Sequence, residues 1–462
     1  MGFHTKMSTL YRLEYRSREL KAILFAGLAV VLVWEVISRT FVVFLANVAP
    51  EQALHIRAQQ STALLDLAQK KLDALDNSDQ LSGKVQERGS EANLGAAFPP
   101  SPFPDTDTAN AENIEQARRM AEQALLSDPL NARALRILGQ IADLSRDEPR
   151  SWQLMQASVR RSLNETLAVA WLTSKSAERR DYAAAMRYAD VLLRTRPQVS
   201  NEVIPLLARL AENGEAVTGL KEMLSQYPPW RAQFFDALPN SITDARTPLD
   251  LLMAVKHSPV PPTTAELRSY LNFLIGRKFY ALAYYTWLQF LSPEQFGGVG
   301  YVFNGGFEAT PSGLPFDWSI TPGAGATVEV DTVPDEGGNH ALFARFEDSR
   351  VEFGAVVQLI VLAPATYRLE AVYKGTLLGQ RGLKWRVTCV GGATRSIGES
   401  GMIMGMSSAW KPIEFSFAVP SSDCPAQYVR LDLDARMASE KFVSGEVWFD
   451  NLQISRVGDA EK

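Results

Sequence analysis

Asn304-Gly305-Gly306-Phe307-Glu308 opens, and Trp448-Phe449-Asp450-Asn451 closes, the stretch that decides how the C-terminal third of this chain folds. In and beside it, the joints Gly297-Gly298, Gly305-Gly306, Gly337-Gly338 and Gly391-Gly392 separate short runs of β-branched and aromatic residues. That is the texture of an all-β sandwich. Thr366-Tyr367-Arg368-Leu369-Glu370-Ala371-Val372-Tyr373 alternates apolar and polar with period two, as a half-buried strand does. Tyr428-Val429-Arg430-Leu431-Asp432-Leu433 does the same, which predicts Val429, Leu431 and Leu433 inward. About eight such strands fit a jelly roll over residues 298–457, with its first and last strands close together.

Four segments carry a family resemblance. The Asn304–Glu308 opening, Leu314-Pro315-Phe316-Asp317-Trp318, the strand entry Gly338-Asn339-His340-Ala341-Leu342 and the closing Trp448–Asn451 resemble the galactose-binding-like, carbohydrate-binding modules of glycoside hydrolases. The resemblance implies a structural calcium ion joining an opening acid to a closing one, here Glu308 and Asp450. A hard cation takes several oxygen ligands, and two carboxylates with backbone carbonyls at a strand junction can supply them. The alternative is that both acids cap strands or pair with arginine. Sugar rings bind on aromatic platforms with flanking polar groups. Trp385, Trp410 and Tyr373 are the glycan-binding candidates, whereas Trp318 and Trp448 sit in the framework motifs and read as core. Burial is the alternative for each of these rings, and the same sandwich also serves as a structural or protein-contact domain. Cys389 and Cys424 are the only cysteines; two cysteines on one sandwich are expected to bridge neighbouring strands, which an oxidising compartment permits.

Upstream, residues 114–295 read as helical and repetitive. Ala117 precedes Pro129, Ala185 precedes Pro197 and Ala281 precedes Pro293 by the same interval, and Asp128-Pro129, Arg196-Pro197 and Pro228-Pro229 mark helix ends. With Leu138-Gly139, Asp181-Tyr182 and Gly276 with Phe279, this region resembles a degenerate tetratricopeptide array. Leu163 stands where a midway proline is expected, and the unit ending at Pro228 is short. The resemblance implies stacked helix pairs with a protein partner on a concave surface. The alternative is an unrelated helical bundle. Arg150, Arg160, Arg161, Arg179 and Arg180 are candidates for a basic lining or, alternatively, a solvated face.

Ala22–Val48 is apolar enough on paper to serve as a transmembrane anchor, since a bilayer span takes roughly 20 apolar residues. The preceding 1–21 tail is basic, which by the positive-inside rule leaves it cytoplasmic. A continuing helix is expected over 51–75 and a flexible linker over 76–113, where Pro99-Pro100-Ser101-Pro102-Phe103-Pro104 falls. Glu35 and Arg39, four apart in the apolar stretch, form an intramembrane pair that either neutralises itself or meets a membrane partner.

The 462 residues carry 46% hydrophobic and 21% charged residues with a net charge of −5. That is ordinary for a globular protein and leaves no basic excess for a nucleic-acid partner. The four histidines show no zinc-ligand spacing. No Walker loop, Gly-x-Ser-x-Gly or His-Glu-x-x-His appears, so no enzyme is expected. The fold class expected is therefore multidomain: an N-terminal transmembrane helix, a tetratricopeptide-like helical array and a C-terminal jelly-roll sandwich. The expected role is a bacterial inner-membrane, single-pass protein with its bulk in the periplasm. There it would serve as an accessory scaffold for surface polysaccharide synthesis or export. The rival readings are a protein-only envelope scaffold and a polysaccharide-modifying enzyme.

Overall fold

A computed structural model describes residues 28–458 apart from 30, 39, 42, 43, 47, 57–59, 90–105, 335, 355 and 391–394. The chain divides into two compact units, one up to Val203 and one from Ile204 onward.

The first unit is helical. Ser61–Gly89 and Thr106–Ser127 pack through Leu64, Leu65, Ala68 and Leu72 against Ala117, Ala121 and Ala124. The helix expected over 51–75 is two helices, Pro50–Ile56 and one beginning at Ser61. Most of the expected 76–113 linker is helical as well. Its residues up to Gly89 include no proline, and a polar composition without proline is compatible with helix. The prolines at 99–104 lie outside the described residues.

The membrane anchor is overturned. Among the described residues no helix is long and apolar enough to cross a membrane. The described part of that stretch carries Glu35, a charge that is costly at membrane depth. The inner-membrane, single-pass placement with a periplasmic bulk depended on that anchor and is corrected with it. The 1–21 tail and Arg39 lie outside the described residues, so the Glu35–Arg39 pair is not seen.

Two helical hairpins follow with one geometry. Ala132–Leu144 with Glu148–Arg161 recurs 34 residues later as Thr166–Glu178 with Tyr182–Thr195. Each turn holds an arginine at positive φ, Arg146 (58°) and Arg180 (62°). Each then uses an aspartate as N-cap, Asp147 to the Arg150 N–H and Asp181 to the Ala184 N–H. Within the first hairpin the helices cross closely at Gly139, where a Cβ would meet the Met155 side chain at 3.1 Å. Arg179 is spoken for: it lies 4.0 Å from the Trp152 ring centroid and pairs with Glu148 at 2.8 Å.

In the second unit the helices Arg231–Ala237 and Thr264–Gly276 are pinned by a fully buried ion pair. Arg231 donates to both Glu266 oxygens at 2.9 and 3.0 Å and to the carbonyls of Leu224, Val260 and Pro261. A third hairpin, Thr264–Gly276 with Tyr280–Leu288, turns through Lys278 at φ 64°. The Ala-to-Pro spacing misleads here: Ala281 is exposed, and Ala283 is the buried residue. This hairpin packs on the sandwich through aromatic contacts, Trp287 with Phe303 at 5.0 Å and Tyr284 with Phe316 at 5.4 Å.

Among the described residues the sandwich has ten strands: β1 (Ser319–Ile320), β2 (Ala326–Thr332), β3 (His340–Arg350), β4 (Val356–Ile360), β5 (Ala365–Gly379), β6 (Leu383–Val390), β7 (Ser396–Glu399), β8 (Gly405–Val419), β9 (Ala426–Leu433) and β10 (Phe442–Arg456). They form two antiparallel sheets, β1-β4-β9-β6-β7 and β2-β3-β10-β5-β8. Val429 and Leu431 are fully buried and Leu433 packs against the same core, as the alternation predicts. The expected Cys389–Cys424 disulfide is present and joins β6 to the turn before β9.

Candidate functional site

The two end motifs meet. Gly305 lies so close to the last strand that a Cβ there would stand 1.8 Å from the Leu452 carbonyl oxygen, and the Leu452 N–H donates to the Gly305 carbonyl at 2.9 Å. Only glycine permits that approach. Asn304 holds the opening turn at φ 50°, its side chain bridging to the Ala309 backbone, and its carbonyl accepts from the Trp318 indole at 2.9 Å. Trp318, Trp385 and Phe449 then stack edge to face at the centre of the core.

This junction delivers Asp450. It is 4% exposed, accepts from the Asn339 amide at 3.0 Å and from the Asn451 N–H, and has amides rather than cations as its partners. Burial pushes its carboxyl up, and the nearby carboxylates of Glu308 and Glu336 add to that; the two hydrogen bonds act the other way. Glu308 is on the rim beside His340, at 3.3 Å. Among the described residues no three His, Cys, Asp or Glu side chains converge as a metal site. The oxygen groups of this junction that would hold a hard cation are the Asp450 and Glu308 carboxylates and the Asn339 side chain. They suit one in charge and oxygen character.

Beside Asp450 lies an aromatic row on the outer face of β2-β3-β10-β5-β8. Val447 and Phe449 point inward and are buried, so alternation turns Trp448 outward. Register then aligns Glu329, Phe343, Trp448 and Lys374 across β2, β3, β10 and β5. On β8, the Trp410 ring centroid is 4.8 Å from the Lys374 ammonium. At the usual strand spacing the row is roughly 19 Å across. Phe343 and Trp448 stack with centroids 4.4 Å apart, and the Arg345 guanidinium is 5.1 Å from the other ring's centre at Phe343. Glu336 anchors the far end: it accepts from the Trp410 indole at 2.9 Å and pairs with Lys374. The Lys374 ammonium, with the indole N–H and the Asn339 amide, holds the Glu336 carboxyl below the ordinary carboxylate range. Phe343 is itself buried, at 3% exposure, so Trp448 and Trp410, partly exposed and flanked by fixed donors and acceptors, are the rings that can take the apolar face of a sugar and its hydroxyls together.

The expected platform residues divide. Trp410 belongs to the row. Tyr373 points to the inner side, packed near Phe449. Trp385 is corrected: it is 0% exposed and part of the core, so it presents no surface to a ligand. Trp448 is corrected in the opposite sense, from core to outer face. Parity carried the signal for both rings. Trp385 shares its side of β6 with Leu383, Val387 and the disulfide-bonded Cys389, whereas Trp448 falls between two buried residues.

No protein-family model matches the sequence, and no curated protein matches it. Among solved structures, the chain is similar to a family-4 carbohydrate-binding module at 15% identity, covering 34% of this chain and 99% of that one, with a TM-score of 0.26. It is similar to TmCBM61, solved in complex with beta-1,4-galactotriose, at 20% identity over 34% of this chain and 99% of that one, TM-score 0.24. The CBM22-1 xylan-binding domain of Xyn10C from Paenibacillus barcinonensis is 14% identical over 34% of this chain and 93% of that one, TM-score 0.24. These similarities span about a third of the chain; the fold and the chemistry of the site rest on its own strands and residues.

Proposed function

We propose that this protein is a non-catalytic, glycan-binding accessory protein: the sandwich holds a polysaccharide, and the helical hairpins, read as tetratricopeptide-type repeats, hold a protein partner of the machinery that makes or exports it. The observation that carries the reading is the row of Trp448, Lys374 and Trp410: Trp448 is in register with Lys374, the Lys374 ammonium lies 4.8 Å from the Trp410 ring centroid, and both indoles are partly exposed. A row of this kind suits a chain of sugar rings lying across the strands. Affinity electrophoresis of the full chain against a panel of neutral and acidic polysaccharides tests it. Trp448→Ala should weaken the bound glycan by about 30-fold or more, the loss typical of a central tryptophan anchor of about 2 kcal/mol. Trp410→Ala should weaken it in the same direction. Retention of full affinity by both variants, or no retardation by any glycan, rejects the reading in favour of a protein-only scaffold.

Calcium at Asp450 is part of the same proposal. It offsets the repulsion among Asp450, Glu308 and Glu336 and so stiffens the junction beside the row. Calcium should raise the melting temperature of the wild-type chain and leave Asp450→Asn unmoved. An equal shift in both would show that the ion acts elsewhere.

A further inference from the structure

The passage from β7 into β8 reads Gly401-Met402-Ile403-Met404-Gly405-Met406, three methionines at alternate positions. Methionine ordinarily fills cores, and the helices use it so: Met155 and Met186 are buried, and Met120, Met223 and Met253 are half-buried. Here Met404 is 41% and Met406 74% exposed, with Met402 half-buried beside them. The backbone that carries them is fixed at both ends. Ile403 belongs to the core and exchanges hydrogen bonds with Leu383 of β6 at 2.9 and 3.1 Å. Met406 is in register with Thr376 of β5 on the other sheet. Ile403 and Ser407 are buried, so alternation turns Met402, Met404 and Met406 outward. Gly405, at φ 87°, bends the chain between the last two.

The donor atoms choose the ligand. Thioether sulfur is soft, polarizable and uncharged, and soft donors of this kind select copper(I) over calcium or magnesium. Alternate residues of an extended chain stand about 7 Å apart, and three rotatable bonds let each side chain lean toward its neighbour. Three sulfurs on one side of a pinned backbone can therefore meet a single ion. No thiol competes for it, since both cysteines are spent in the Cys389–Cys424 disulfide. An apolar partner would be served equally by leucine, whereas sulfur recurs at all three outward positions. We infer that Met402, Met404 and Met406 form a copper(I) site at the edge where the chain passes from one sheet to the other. The site goes beyond the glycan reading and does not depend on it.

Methyl NMR of the full chain in chloride-free buffer tests the site, with silver(I) as a redox-stable stand-in for copper(I). One equivalent is expected to shift the ε-methyls of Met402, Met404 and Met406 together and to leave those of Met120 and Met223 in place. A thioether takes up no proton, so the shifts should be as large at about pH 5 as at about pH 7, whereas thiolate, imidazole and carboxylate sites weaken on acidification. Calcium and magnesium should shift none of the three. The variant Met402→Leu/Met404→Leu/Met406→Leu is nearly volume-conserving. It should keep the wild-type circular dichroism and lose the ability to take copper(I) from bicinchoninate, and each single variant should compete less well than the wild type. A shift at fewer than all three methyls, an equal shift at Met120 and Met223, loss of the response in acid, or undiminished copper(I) competition by a folded triple variant overturns the inference. Should the triple variant not fold, the wild-type shifts decide alone.

Discussion

Breaking the buried Arg231–Glu266 pair should unfold the second unit's helices, and the two partners should not be equivalent. Both side chains are 0% exposed. Removing one partner of such a pair typically costs about 3–5 kcal/mol, because the other charge is left without compensation. Glu266→Leu leaves a guanidinium that cannot shed its proton, held by three carbonyls and the Tyr227 ring 4.4 Å away. It also removes the capping box in which Glu266 accepts from the Thr263 N–H, a further loss of about 1 kcal/mol. Arg231→Met leaves a carboxylate that can take up a proton and keeps that box. Glu266→Leu should therefore be the worse variant, near the upper end of the range. At about 2–4 °C per kcal/mol for a unit of this size, the melting temperature should fall by roughly 10 °C or more. The Arg231→Met deficit should shrink on acidification, and that of Glu266→Leu should not. The double variant Arg231→Met/Glu266→Leu should recover much of the loss, since a matched apolar pair leaves no buried charge. Urea denaturation followed by circular dichroism at several pH values measures all three. Equal losses in both single variants with no pH difference, or no recovery in the double variant, would refute the reasoning.

Replacing both Cys389 and Cys424 by alanine opens a loop with a sequence separation of 35, and chain entropy alone puts the loss at about 4 kcal/mol; calorimetry should show the sandwich transition lowered, and an unchanged transition would remove the disulfide from the stability account. Acid should destabilise the sandwich. The carboxyls of Glu336, Glu352, Glu399 and Glu440 are held below the ordinary range by Lys374, by Lys441, by Lys384 with Arg386, and by the Arg436 N–H respectively. A depressed carboxyl contributes stability that is present above its unfolded value and is lost as pH falls through the folded one. Asp450, shifted upward, works in the opposite sense and is outnumbered. Denaturation midpoints should therefore decline below about pH 4; a flat profile would mean that these exposed pairs contribute nothing measurable, as many surface pairs do.

The sandwich was legible in the sequence because its determinants are local. Period-two alternation placed Val429 and Leu431 inward, and Gly305 and Asn304 marked an end where backbone must approach backbone. The cystine followed from there being two cysteines in one domain. In the helical region the Ala-to-Pro spacing pointed to repetition, and the structure shows two hairpins 34 residues apart with Asp147 and Asp181 as caps, a signal that spacing did not use. The apolar 22–48 stretch misled, since among the described residues no helix is long and apolar enough to cross a membrane. The linker misled because polar residues without proline are compatible with helix.

Alternation within each strand thus fixed which residues turn inward, given the right parity, and the motifs fixed where the sandwich begins and ends. What the tertiary structure decided is which outward residues become neighbours. Phe343, Trp448 and Lys374 come from three strands that order and register alone set side by side, and Trp410 joins them where the β5–β8 register shifts between Tyr373 and Gly375. Hydrogen bonding between strands sets that register, over separations that no local pattern encodes.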